Sequence, residues 1–193
     1  VADAERVGQF DLRQRDERRK RGELVGVGFS TFVEPSGGAG FESGTVRVER
    51  TGEVTVLTGS SSHGQGHETS WAQIAAELMK TSPDDVTILH GDTHVSQQGT
   101  GTFGSRSAVV GGGALAIAAQ RVIEKAKRIA AHLVEAAPED IVQADGGFAV
   151  KGVPEKKISW RQIAAAAYSG RLPKGMEIGL QETVFFDPKR EAW

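Results

Sequence analysis

Cysteine is missing altogether from these 193 residues. Its absence excludes disulfide bonds, thiolate metal ligands, iron–sulfur clusters and a cysteine nucleophile within the chain. Neither sign of charge is in excess: 23 Lys and Arg face 25 Asp and Glu, a formal net charge of −2. Arg13 to Arg21 is rich in arginine, but acidic residues interrupt it, so it reads as a solvated helix face and not as a nucleic-acid-binding stripe. Long apolar runs are absent too. The opening VADAERVGQFDLRQ has no signal-peptide core and no later stretch is long enough to span a bilayer, so no membrane contact and a soluble, cytoplasmic setting are expected. The chain has no initial Met and ends in FDPKREAW just after a strand-like segment, so it reads as a piece excised from something longer.

What is present suffices for a folded core, with 38% hydrophobic residues. Residues from about Asp3 to Arg21 predict a charged helix, followed by an apolar strand over Leu24 to Phe29 and a loose loop, Pro35 to Gly40. Val46 and Val48 alternate with Arg47 and Glu49, Thr51-Gly52-Glu53 turns, and Val54 and Val56 return, which describes a hairpin with one buried face. Trp71, Ile74, Ala75, Leu78 and Met79 then form one apolar stripe, so a helix begins near His67 and stops before Pro83. A short strand follows over Val86 to His90. A polar loop then leads into a long alanine-rich helix through Leu115, Ala118, Val122, Ala126, Ile129 and Leu133.

Two segments match: IAAEL followed by PDDV, and IAAHL followed by PEDI. Either this is common helix-to-strand punctuation or it records a duplication. A third Ile163-Ala164-Ala165 opens another helix before a strand over Thr183 to Phe186. The fold class expected is α+β: a two-layer α/β arrangement with a mixed sheet, in which a β-hairpin precedes repeated helix-turn-strand units. Residues 1–22 would be a charged helix or linker, and 23–193 one ligand-binding lobe.

Two loops could carry chemistry. In the first, SSSHGQGHETS, His63 and His67 are four apart, and His90, Asp92 and His94 form a second cluster, so a metal site is one reading. Gly64 and Gly66 weaken it, because they disfavour the continuous helix that would point both histidines at one metal. A second reading is a cradle: glycines let the backbone approach a ligand, the free N–H groups of a helix start attract a phosphate, and Gln65 can read the edge of a heterocycle. The second loop, Thr100 to Ser107, has glycines, hydroxyls and Arg106 just before a helix. There a guanidinium could pair with phosphate oxygens. Two solvent-exposed loops, with Ser105 as a cap and Arg106 in water, is the third reading. A non-enzymatic module for a phosphorylated ligand would use the same features.

Together, GQGHETSWAQIAAE, ILHGDT and GTGTFGSRSAVVGGGAL, in that order and spacing, resemble the molybdenum-binding large subunits of the xanthine dehydrogenase, aldehyde oxidase and aerobic carbon monoxide dehydrogenase family, from about Gly22 to Asp145. The resemblance implies a molybdopterin cofactor, in its cytosine dinucleotide form. Gln65, Gly66, His67, Glu68 and Thr69 would line the pterin side. Thr102, Phe103, Gly104, Ser105, Arg106 and Ser107 would contact the pterin, pyrophosphate or nucleotide. It further implies oxidation of a small-molecule substrate with oxygen from water, and partner subunits carrying iron–sulfur clusters and FAD. The family's base, in a distal Gly-Glu motif, has no match here, nor do its Gly-Gly-Gly-Phe-Gly loop and its cysteine-bearing substrate loop. No catalytic residue and no protein metal ligand is therefore expected, and the piece would be inactive alone.

Overall fold

Alternating valines set the centre of the structure. Glu42–Val48 (β1) and Val54–Thr58 (β2) pair antiparallel with Val46 opposite Val56 and Val48 opposite Val54. All four valines are fully buried on one face. Each such side chain contributes about 1.5–3 kcal/mol by leaving water. The computed structural model describes residues 12–188 except 27, 29, 34, 38, 39, 96 and 97, with side chains also left aside at 12, 13 and 154. It divides into two compact units, Val1–Glu34 and Pro35–Trp193.

In the first unit, Leu12–Lys20 forms a helix (α1); the expected turns before Leu12 lie outside the described residues. Glu23 takes ion pairs from Arg18 and Arg21, and these hold its carboxyl below the usual range. The strand expected over Leu24 to Phe29 does not form at residues 24, 25, 26 and 28; Val27 and Phe29 lie outside the described residues. Leu24 is fully exposed, and the Val25 carbonyl takes a hydrogen bond from Arg19 Nε where a strand would need a neighbouring backbone.

In the second unit the hairpin extends to four strands. Val86–Leu89 (β3) runs parallel to β2, and a late strand, here β7, Gln181–Phe186, runs antiparallel to β1, giving the order β3-β2-β1-β7. The sheet is mixed, as expected. Its second face is less wet than a one-sided hairpin predicts: Thr45 and Thr55 are buried, because β1 and β2 are interior strands and Thr45 Oγ1 meets Thr183 Oγ1 at 2.8 Å.

Two helices cover the valine face. His67–Met79 (α2) buries Trp71, Ala75, Ala76 and Met79. Gly112–Leu133 (α3), entered through a π-helical turn at Ser107–Gly111, buries Leu115, Ala118, Val122, Ala126 and Ile129. Helix α3 crosses β1 at Gly44, where a Cβ would stand 2.7 Å from the Ala114 carbonyl carbon and the Leu115 nitrogen. Because backbone atoms cannot step aside, Gly44→Ala is expected to cost about 1–3 kcal/mol, read as a lower denaturant midpoint at unchanged slope.

Each matched helix does end in a Pro-led 3-10 turn, Pro83–Asp85 and Pro138–Asp140, followed by a strand. The topologies then part. The strand β3 joins β2, whereas Ile141–Ala144 (β4) opens a separate antiparallel sheet with Gly147–Val150 (β5) and Val153–Ser159 (β6). The repeated unit thus extends over the helix, the turn and the start of the strand, and no further. A capping box at Ser159 and Gln162 starts Trp160–Ser169 (α4). The second sheet and α4 satisfy the orphan carbonyls at the end of α2: Trp160 Nε1 donates to Met79 O, Gln143 Nε2 to Leu78 O and Gly146 N to Lys80 O. Among the described residues no helix is long and apolar enough to cross a membrane.

Candidate cofactor site

Both polar loops leave the same end of the four-stranded sheet, and they meet. Gln65 and His67 from the first, Thr102 to Ala108 from the second, and Ser36 line one cavity of about 500 Å3. Gly66, φ 74°, is the N-cap of α2 and has no side chain to cap it, so apart from the Glu68 N–H, which its own carboxylate takes, the first-turn N–H groups are left for a ligand or water. A Cβ at Gly66 would meet nothing within 4 Å. Gly66→Ala should therefore cost only the left-handed penalty, about 1–2 kcal/mol, seen as a modest fall in melting temperature.

His67 is half-buried, its ring 4.6 Å from that of Trp71. Its Nδ1 is buried without a hydrogen-bond partner, and loss of solvent pushes its pKa below the ordinary 6.5. Gln65 is exposed and its amide oxygen accepts from the His63 N–H at 2.5 Å. Glu68 and Thr69 lie on the exposed first turn of α2 and do not line the cavity. The Glu68 carboxylate is lowered first by its own backbone N–H and then by His90. The His90 Nε2–H donates to it at 2.7 Å while Nδ1 faces the Ser61 hydroxyl at 3.3 Å, an arrangement that fits the tautomer protonated on Nε2. Nor are the remaining histidines gathered: the His94 N–H turns back to Asp92, and among the described residues no three His, Asp or Glu side chains are placed to hold a metal ion.

The second wall is built on unusual backbone. Gly101, Gly104 and Ser105 have φ of 103°, 53° and 50°. A serine in that region is strained, and such strain persists where the surroundings fix it; here the Ser105 carbonyl accepts from the Gly37 N–H. Phe103, 54% exposed, presents its ring to the cavity with the Arg106 guanidinium 5.3 Å from its centroid. Ser107 is buried and donates to the Thr102 hydroxyl.

Arg106 does not reach for solvent. It is fully buried, with Nη1 2.5 Å from Glu42 Oε1 and further bonds to the carbonyls of Gly101 and Phe41. The sequence pointed to neither Glu42 nor Ser36, each lying far along the chain from the second loop, and it offered His90 as a metal ligand where the structure has it bonded to Glu68. The single signal was a carboxylate at Glu42 on the apolar face of β1.

A family model described as molybdopterin cofactor-binding domain matches residues 4–193. The chain is 38% identical over 193 residues to the nicotine 6-hydroxylase large subunit of Paenarthrobacter nicotinovorans, covering 93% of this chain and 24% of that protein. It is 38% identical over 200 residues to the carbon monoxide dehydrogenase large chain of Afipia carboxidovorans, covering 94% and 25%. The structure of quinoline 2-oxidoreductase from Pseudomonas putida 86 superposes with a TM-score of 0.71 at 44% identity, over 77% of this chain and 19% of that one. The chain thus spans about a quarter of the length of the curated relatives it matches. Two loops on one sheet edge, and a family match that runs through both, place this chain in the molybdopterin cofactor-binding domain family.

Proposed function

We propose that residues 23–193 form the cofactor-binding lobe of a larger cytoplasmic oxidoreductase subunit, of the molybdenum hydroxylase or carbon monoxide dehydrogenase type, with residues 1–22 as its leading linker. The observation that supports this best is the convergence of Gln65 and His67 with Thr102 to Ser107 around one cavity. The donor set fits a pterin cofactor bearing phosphate, and the form we propose is the cytosine dinucleotide. His67 Nδ1 lacks a protein partner, the start of α2 lacks a side-chain cap, and the facing wall offers hydroxyls and glycine backbone.

When bound, the cofactor supplies the Lewis-acid and redox chemistry that lets water serve as oxygen source for a small-molecule substrate. The chain's own residues bind and orient. Gln65 reads the ring edge, and the N–H groups of His67 and Thr69 at the uncapped start of α2 are the donors offered to its acceptors or the pyrophosphate. Thr102, Phe103, Gly104, Ser105 and Ser107 form the opposing wall, and Arg106 supports that wall from behind. Glu68, already engaged by His90 and its own N–H, is not a proton acceptor for substrate. Electrons would leave through iron–sulfur and FAD subunits of the parent complex.

The test is expression of the parent-length subunit with its partners under molybdenum supply, followed by assay of metal and of nucleotide released on denaturation. Wild type should hold molybdenum and cytosine nucleotide, with both reduced in Gln65→Ala. A parent that holds zinc and no pterin would sink the reading.

A further inference from the structure

A carboxylate that no motif pointed to holds the second loop in place. Glu42 and Arg106 are both fully buried, and they face each other at the end of β1. Glu42 Oε1 accepts not only from Arg106 Nη1 but from the backbone N–H of Thr100 at 2.8 Å and of Gly101 at 2.7 Å. Arg106 in turn donates to the carbonyls of Gly101 and Phe41, and the Thr100 hydroxyl donates to Phe41 O. The carboxylate therefore joins the first strand of the hairpin to the turn from which the cavity wall Thr102 to Ser107 is hung. Oε2 has no hydrogen-bond partner and is packed between Gly59 and Gly99, so the carboxylate has little room to move.

Resting on the cofactor-site reading above, we propose that Glu42 is the positioning residue of the second loop. Glu42 fixes the height of Gly101 to Phe103 over the sheet. Arg106 is engaged in that task, and its guanidinium also stands 5.3 Å from the centroid of the Phe103 ring, which lines the cavity beside it. On this wall the loop's N–H groups and hydroxyls are then the groups presented to the anionic part of the ligand.

A purely structural ion pair makes a different prediction. Replacing a buried pair by apolar residues of similar volume is often neutral for stability. In the double variant Glu42→Leu/Arg106→Met, however, the N–H groups of Thr100 and Gly101 and the carbonyls of Gly101 and Phe41 lose their side-chain partners, so the loop should leave its place. The experiment uses the parent-length complex with its partner subunits. The double variant should melt close to wild type when both are cofactor-free, yet release about tenfold less nucleotide per folded subunit. Nucleotide at the wild-type level overturns the proposal, and so does a loss that merely follows a lower melting temperature.

Should the double variant fail to fold, Glu42→Gln decides, through amide hydrogen exchange. Exchange at Thr100 and Gly101 at least about tenfold faster, with β1 and β2 unchanged, supports the proposal; unchanged exchange at those two amides overturns it. If wild type itself carries no nucleotide, the cofactor reading fails separately, and the exchange measurement still settles what Glu42 does.

Discussion

Arg106→Ala should cost about 3–5 kcal/mol of stability in the cofactor-free protein, because it leaves the Glu42 carboxylate buried without its cation. Both side chains are fully buried, so water cannot take the place of the guanidinium without opening the loop. Equilibrium urea unfolding checks this. The midpoint should fall strongly, and the pre-transition baseline should show the 99–107 loop released before the sheet. The competing picture, in which Arg106 stands in solvent awaiting a phosphate, predicts a change within about 0.5 kcal/mol, the usual effect of a surface substitution. Arg106→Lys separates charge from shape. It keeps the cation but loses the planar fork that serves Glu42, Gly101 and Phe41 at once, so it should fall between wild type and alanine.

Arg106 also shows where sequence reading stops. The periodicities were legible: the Val46, Val48, Val54, Val56 face and the stripes of α2 and α3 are local patterns, and they lie against the core as the patterns placed them, with Ile74, Leu78 and Leu133 only partly buried at its margin. The glycines of both loops were legible as positions of special backbone, since Gly66, Gly101 and Gly104 do adopt left-handed conformations. What a linear reading could not supply was partnership. A guanidinium beside two serines suits a phosphate and a buried carboxylate equally well, and nothing local distinguishes them. Glu42 lies on a strand that alternation explains without it. The strand after Pro138 was expected, but its partners β5 and β6 were not legible: their turns at Gly146, Gly147 and Gly152 look like ordinary loop punctuation. The strand expected from Leu24 failed in the opposite sense, since apolar composition alone gives no neighbouring backbone to pair with.

Trp71 couples the core to the site, and Trp71→Ala should show both roles. The ring is 2% exposed between the valine sheet and the start of α2, and its loss should cost about 3–5 kcal/mol as a large cavity in the core. The same ring covers one face of His67 and so contributes to the desolvation that pushes the His67 pKa below 6.5. A lowered folded-state value means that the unfolded chain binds the extra proton first. The stabilisation from His67 is therefore fully present above 6.5 and is lost as pH falls through the lowered folded value. Water entering the space left by Trp71 should raise the His67 value towards 6.5 and flatten that dependence. NMR titration of the histidine ring carbons reports the pKa directly, and unfolding midpoints taken across the same pH range report the linkage. Trp71→Phe keeps most of the core and should give a smaller rise, so the two variants order the effect by ring area. A His67 value unmoved in both would place its desolvation on the second loop instead of on Trp71. Raising the fraction of charged His67 at a fixed pH also changes what Nδ1 offers to a ligand, from a group that can accept to one that only donates. Cofactor retention in Trp71→Phe should therefore become more sensitive to pH just below 6.5 than it is in wild type.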